Sequence, residues 1–156
     1  MTGPAFAPRA VLVAVLAMLP ACAIAAEPVR LITREEAGLP MVASAGGGYR
    51  NMTRGPGIDK VAPAAVGLNS ASAFRLAVRF KPRNGVPIDP ATVRVTYQRD
   101  PKVDLTARLK PFVSPEGIEA AAVLVPPGKH VIEIEATDKE GRTGRAQMTL
   151  TVEGEQ

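Results

Sequence analysis

From residue 57 onward, hydrophobic and polar positions alternate with period two. In "AFRLAVRFK" (residues 73–81), Phe74, Leu76, Val78 and Phe80 fall on one side, Arg75, Arg79 and Lys81 fall on the other, and Ala77 is neutral. Successive side chains of a strand point to opposite faces, so this pattern predicts a half-buried strand. "TVRVTYQ" repeats it with Val93, Val95 and Tyr97 inward, and "VDLTARLK" with Val103, Leu105, Ala107 and Leu109. "IEAAAVLV" is apolar without clean alternation, which leaves its facing open. Farther on, Ile132, Ile134 and Ala136 alternate with Glu133 and Glu135; Ala146, Met148, Leu150 and Val152 then alternate with Gln147, Thr149 and Thr151. With "GIDKVAP" as a further strand, the runs predict an all-β sandwich of about seven antiparallel strands separated by turns. No helical period of ten residues interrupts them.

The turns have local causes. "PRNGVPIDP" and "PPG" carry the Asn-Gly, Pro and Gly punctuation that stops strands. In "TDKEG", Asp138 can accept hydrogen bonds from backbone N–H groups just ahead of it, and Gly141 can adopt the positive φ that closes the turn.

The chain before residue 57 is organised differently. Arg9 is followed by the apolar run "AVLVAVLAML", then Pro20 and the small residues "ACAIAA". That order of charge, apolar core and small residues predicts a signal peptide over residues 1–25. The run is about half the ~20 residues that a membrane-spanning helix requires. Two processing patterns compete. "AIA" predicts cleavage between Ala25 and Ala26, whereas "LPAC" resembles a bacterial lipobox in which Cys22 would be lipidated. The first places the mature chain in the periplasm or outside the cell; the second anchors it to the envelope.

Residues 26–56 read as a flexible N-terminal segment. Three consecutive glycines at 46–48 and few branched residues offer little to offset ordering entropy. Within it, Thr33-x-x-Glu36 matches a capping box and predicts one short helical turn before Gly38. The sandwich is expected over residues 57–153, with 154–156 as a tail.

Composition narrows the chemistry. The formal net charge is +4, and removal of residues 1–25 takes away Arg9 and no acid. The resulting small positive balance does not suggest nucleic acid, and no basic run interleaves with aromatics. Cys22 is the only cysteine, so no intramolecular disulfide can form and an ordinary hydrophobic core must hold the fold.

The segment "VPPGKHVIEIEATDKEGRTGRAQMTLTV" (125–152), with "GVPIDPATVRV" (85–95), resembles the bacterial Ig-like domains of exported proteins. The shared features are a Pro/Gly turn, a strand opening H-x-I, an A-x-D-x-x-G hairpin turn and a last strand ending in Val. The resemblance covers about Ile58–Val152. It implies an Ig-like β-sandwich and leaves the function open.

Candidate chemistry is sparse. His130 is the only histidine and stands where a loop enters a strand, where an ordinary hydrogen bond is expected of it. Asp89, Asp100, Asp104 and Asp138 form no D-x-D run and read as acids that open loops rather than as calcium ligands. Ser114 lacks the G-x-S-x-G elbow of a nucleophile. No catalytic residue, metal ligand or cofactor is therefore assigned. Arg75, Arg79 and Lys81, with Arg94 and Arg108 on other strands, define a candidate basic face for an envelope protein, an acidic glycan or lipid head groups. The functional expectation is an exported, non-catalytic module that binds or scaffolds a cell-envelope component. A periplasmic enzyme or metal carrier with a carboxylate-based site is the alternative.

Overall fold

The computed structural model describes residues 27–43, 54–63 and 68–154, together with Gly3. The candidate processing positions Cys22, Ala25 and Ala26 lie outside these residues. Among the described residues, no helix is long and apolar enough to cross a membrane.

The chain forms β1 (Val29–Arg30), α1 (Arg34–Ala37), β2 (Gly57–Ala62), β3 (Leu68–Asn69), β4 (Phe74–Lys81), β5 (Arg94–Tyr97), β6 (Val103–Asp104), α2 (Thr106–Leu109), β7 (Val113–Ser114), β8 (Gly117–Leu124), β9 (Gly128–Thr137) and β10 (Thr143–Glu153). Two sheets result. One has the order β1-β8-β4-β2, with β7 also on β8; the other has the order β3-β10-β9-β5-β6. Their inner faces share one core. Leu76, Val78, Phe80, Ile118 and Val123 come from the first sheet; Val95, Tyr97, Ile132, Ile134, Met148 and Leu150 come from the second. The fold is thus mostly β and sandwich-like. It is not purely antiparallel, because β1 runs parallel to β8 and β3 runs parallel to β10.

The alternating runs bury the sides expected of them. Leu76, Val78 and Phe80 are buried while Arg75, Arg79 and Lys81 are exposed. Burying an aliphatic or aromatic side chain of this kind contributes about 1.5–3 kcal/mol. The uncertain facing of β8 has a geometric cause. Leu76 pairs with Ala120 but Phe74 pairs with Val123, so β8 carries one extra residue there. Such a bulge breaks period two, and Ile118, Ala120 and Val123 all reach the core.

One predicted strand is a helix for most of its length. After Asp104 the chain turns into α2, which buries Leu105 just before its first residue and Leu109 at its end while Ala107 is exposed. Two leucines four apart fit one helical turn as well as a strand, and the length of the run cannot separate the two. The helix also closes the edge of β5. The Thr106 hydroxyl accepts from the Val95 N–H (3.0 Å), and the Leu105 N–H donates to the Val95 carbonyl (2.8 Å).

The N-terminal segment differs most from the expectation of flexibility. Residues 27–43 are docked on the sandwich. β1 extends the first sheet, and Leu31 and Ile32 are 0% and 1% exposed. The expected helical turn is α1, with Thr33 Oγ1 accepting from the Glu36 N–H (3.2 Å) and Glu36 accepting from the Thr33 N–H (2.9 Å). Two adjacent apolar residues show no period, so the sequence gives no sign of their burial. Residues 44–53 lie outside the described residues.

On the opposite side, Gly55 and Pro56 pack on the start of β10. A Cβ on Gly144 would fall inside contact distance of the Pro56 carbonyl oxygen, so glycine permits this close approach.

Candidate functional site

The most elaborate polar cluster sits at one end of the second sheet, inside the core. His130, near the start of β9, is fully buried. Its Nε2 lies 2.8 Å from the Pro126 carbonyl, and its Nδ1 lies 2.7 Å from the Tyr97 hydroxyl. A carbonyl can only accept, so Nε2 carries the proton and Nδ1 accepts from Tyr97. Arg99 Nε donates to the same Tyr97 oxygen at 2.8 Å. The remaining Arg99 nitrogens donate to the carbonyls of Leu39 (2.9 Å) and Lys129 (3.2 Å), and the guanidinium lies 5.0 Å from the Tyr97 ring centroid.

The chain of donors has one direction, from Arg99 through Tyr97 and His130 to Pro126. Burial lowers the pKa of His130, and the nearby Arg99 charge acts the same way. Burial raises that of Tyr97. Both groups are held neutral, and every ring nitrogen has a partner. Such a cluster holds backbone in place; it leaves no proton acceptor facing solvent. His130 stands on an interior strand, since β9 lies between β10 and β5. Arg99 and the Tyr97 hydroxyl were not anticipated. The period that turns Tyr97 inward also turns Arg99 inward, two residues on, so a signal existed.

Three of the four aspartates considered for calcium bond the backbone through their side chains. Asp89 accepts from the Ala91 N–H (2.9 Å) and Asp104 from the Thr106 N–H (2.8 Å). Asp138 accepts from the N–H groups of Glu140 (3.0 Å) and Arg142 (2.9 Å) and from Arg142 Nε (2.8 Å), and Gly141 has φ 81°. Burial pushes the Asp138 pKa up, but the hydrogen bonds from Arg142 and Glu140 outweigh it and leave the group lowered. Asp100 is exposed, with its backbone N–H on the Pro40 carbonyl. Ser114 bonds within its own turn, to the Gly117 carbonyl and the Glu116 N–H. Among the described residues, no group of three or more His, Cys, Asp or Glu is placed to hold a metal ion.

The five basic residues expected on one face do not share it, and Arg108 stands on α2, paired with Glu36. Arg75, Arg79 and Lys81 project from β4 in the first sheet, whereas Arg94 belongs to β5 in the second. The β4 row is also interleaved with acids. Arg75 makes a two-pronged pair with Glu119 (2.6 and 2.9 Å), Lys81 pairs with Asp59, and Arg79 stands opposite Asp59 in register. The face is a mixed-charge lattice rather than a basic one.

A cleft of ≈ 640 Å³ opens at the end of the sandwich. Arg30 lines it from β1, Ile32 from the link to α1 and Arg34 from α1, Ser70 from the turn after β3, and Val125 and Pro126 from the turn between β8 and β9. Its volume falls within the usual range of ligand pockets. The cleft and the His130 cluster share Pro126. No protein-family model matches this chain, nor does any curated protein or solved structure.

Proposed function

We propose that this chain is an exported, non-catalytic Ig-like module that binds or scaffolds a component of the cell envelope. The observation that carries the proposal is the use made of Tyr97, Arg99 and His130. The one histidine is sealed in the core, and its partners are spent joining the β8–β9 turn and residue 39 to the second sheet. A rigid sandwich with its reactive groups consumed internally suits recognition. The connectivity supports the Ig-like part of the reading. β2-β4-β8, with β7 beyond β8, follows the A-B-E-D order of an immunoglobulin sheet, and β10-β9-β5 follows G-F-C. The order of charge, apolar run and small residues at 9–26 supports export.

The test is the intact mass of the protein from fractionated cells, combined with in-cell cross-linking. The expected product begins at Ala26, is found in the periplasm or medium, and cross-links to an envelope component. A product acylated at Cys22 in the membrane fraction would make the module an anchored one. An unprocessed chain in the cytosol would overturn the proposal.

A further inference from the structure

We propose that the cleft between α1, the β3–β4 turn and the β8–β9 turn binds an extended acidic peptide segment, with Arg30 and Arg34 receiving its carboxylates. The inference rests on the reading of the chain as a binding module and names the site and the chemistry of its ligand.

Charge is the first ground. Five of the eleven arginines of the described residues are committed in this way: Arg75 to Glu119, Arg108 to Glu36, Arg142 to Asp138, Arg145 to Glu135, and Arg99 to two carbonyls and Tyr97. Arg30 and Arg34 are exposed, line the same cleft and form no ion pair among the described residues. Two arginines lining one hollow offer it the planar forks that match carboxylates. Glu35 also lines the cleft, and it selects against ligands that crowd negative charge along their whole length.

The second ground is backbone. In the parallel pairing of β1 with β8, the Leu31 N–H donates to the Leu124 carbonyl at 3.0 Å, and Arg30 stands opposite Leu124. Parallel ladders use alternate residues, so the N–H and C=O of Arg30 face away from β8. An extended chain laid beside β1 gains main-chain hydrogen bonds there and side-chain contacts in the cleft, as in strand addition. The third ground is the floor. Ile32 and Val125 are 1% and 3% exposed, so apolar contact is limited to their margins and to Pro126. This favours an extended polar chain over an acyl tail.

The experiment uses the mature chain, isotope-labelled, titrated with a short peptide of alternating Glu and Val and with its Gln counterpart, followed by amide chemical shifts. The Glu peptide should shift the amides of residues 30–35, 70–71 and 124–125, in a salt-sensitive way, and the Gln peptide should not. Arg30→Glu/Arg34→Glu should weaken the Glu peptide by about tenfold or more, as expected for lost charge-assisted bonds. Among the described residues neither side chain is buried or ion-paired, so the variant should keep its circular dichroism and midpoint of unfolding. Shifts confined to other regions, equal response to the Gln peptide, or unchanged affinity in the double variant would overturn the proposal. Binding of oligogalacturonate at the cleft without binding of the peptide would overturn it too, in favour of an acidic glycan. If the double variant still cross-links in cells to the partner of the native chain, the cleft assignment fails while the binding-module reading stands.

Discussion

Arg108 and Glu36 are 72 residues apart in the chain, yet the guanidinium holds both carboxylate oxygens, at 2.6 and 2.8 Å. The same Arg108 donates to the Leu31 carbonyl at 2.7 Å. The guanidinium beside Glu36 drops that carboxyl to about 2, against an opposing effect of burial and with help from the Thr33 N–H. One side chain on α2 thus ties down the capping box of α1 and the buried Leu31–Ile32 link before it. Arg108→Ala should destabilise the protein by about 1–3 kcal/mol in urea unfolding, the range for hydrogen bonds to charged groups in a partly buried setting. It should also speed tryptic cleavage at Arg30 and Arg34. A change below a few tenths of a kcal/mol, with cleavage unaffected, would mean that the N-terminal segment contributes nothing to the fold.

Tyr97→Phe removes the hydroxyl shared by Arg99 and His130 while keeping the ring. Arg99 Nε then loses its acceptor and His130 Nδ1 its donor, both in the core. The expected loss is about 1–3 kcal/mol. A variant as stable as the native protein would show that the buried chain of hydrogen bonds is energetically idle.

The pH dependence of stability should carry the mark of His130. Its pKa is depressed from 6.5 in the folded state, so below that value the unfolded chain takes up a proton that the folded chain resists. Stability is then present above pH 6.5 and falls as pH drops through the folded value. Glu36 adds a second loss as pH falls from 4.5 towards about 2. Denaturant midpoints measured from pH 7.5 to 5 should fall in the native protein and stay flatter in His130→Asn. Equal slopes would remove His130 from the account.

Gly144→Ala tests the contact between the chain before β2 and the start of β10. The added methyl meets the backbone of Pro56, which cannot rotate away as a side chain could. A loss of several degrees in Tm is expected, on the scale of about 4–8 °C per kcal/mol for a domain of this size. An unshifted Tm would place Gly55 and Pro56 elsewhere in solution.

The β4 face should bind polyanions weakly, because its cations alternate with Glu119 and Asp59. Arg75→Glu/Arg79→Glu should leave retention on a heparin column nearly unchanged. Strong, salt-sensitive retention of the native protein that disappears in the double variant would restore this face as a binding surface.

Much of the sandwich was legible along the chain. Period two in residues 74–81, 93–97, 132–136 and 146–152 reports which side of each strand meets the core, and that is a local property. The Asp138–Gly141 turn and the Thr33–Glu36 capping box were legible for the same reason, since their donors and acceptors lie within four residues of one another. Where local signals were ambiguous, tertiary structure decided. Leu105 and Leu109 suit a strand or a helical turn, and the need to cover the edge of β5 favours the turn. The extra residue in β8 exists only relative to its partner β4.

The candidate sites were the least legible. Arg75 and Arg79 look like a basic patch until β8 and β2 bring Glu119 and Asp59 beside them, and nothing local shows that Arg94 lies on the other sheet. His130, Tyr97 and Arg99 meet only because β9 pairs with β5, and the cleft arises where β1 and α1 meet the β3–β4 and β8–β9 turns. Alternation along a chain records whether each residue faces water or core. Which charges become neighbours depends on strand order and register, which are set by contacts between residues far apart in the sequence.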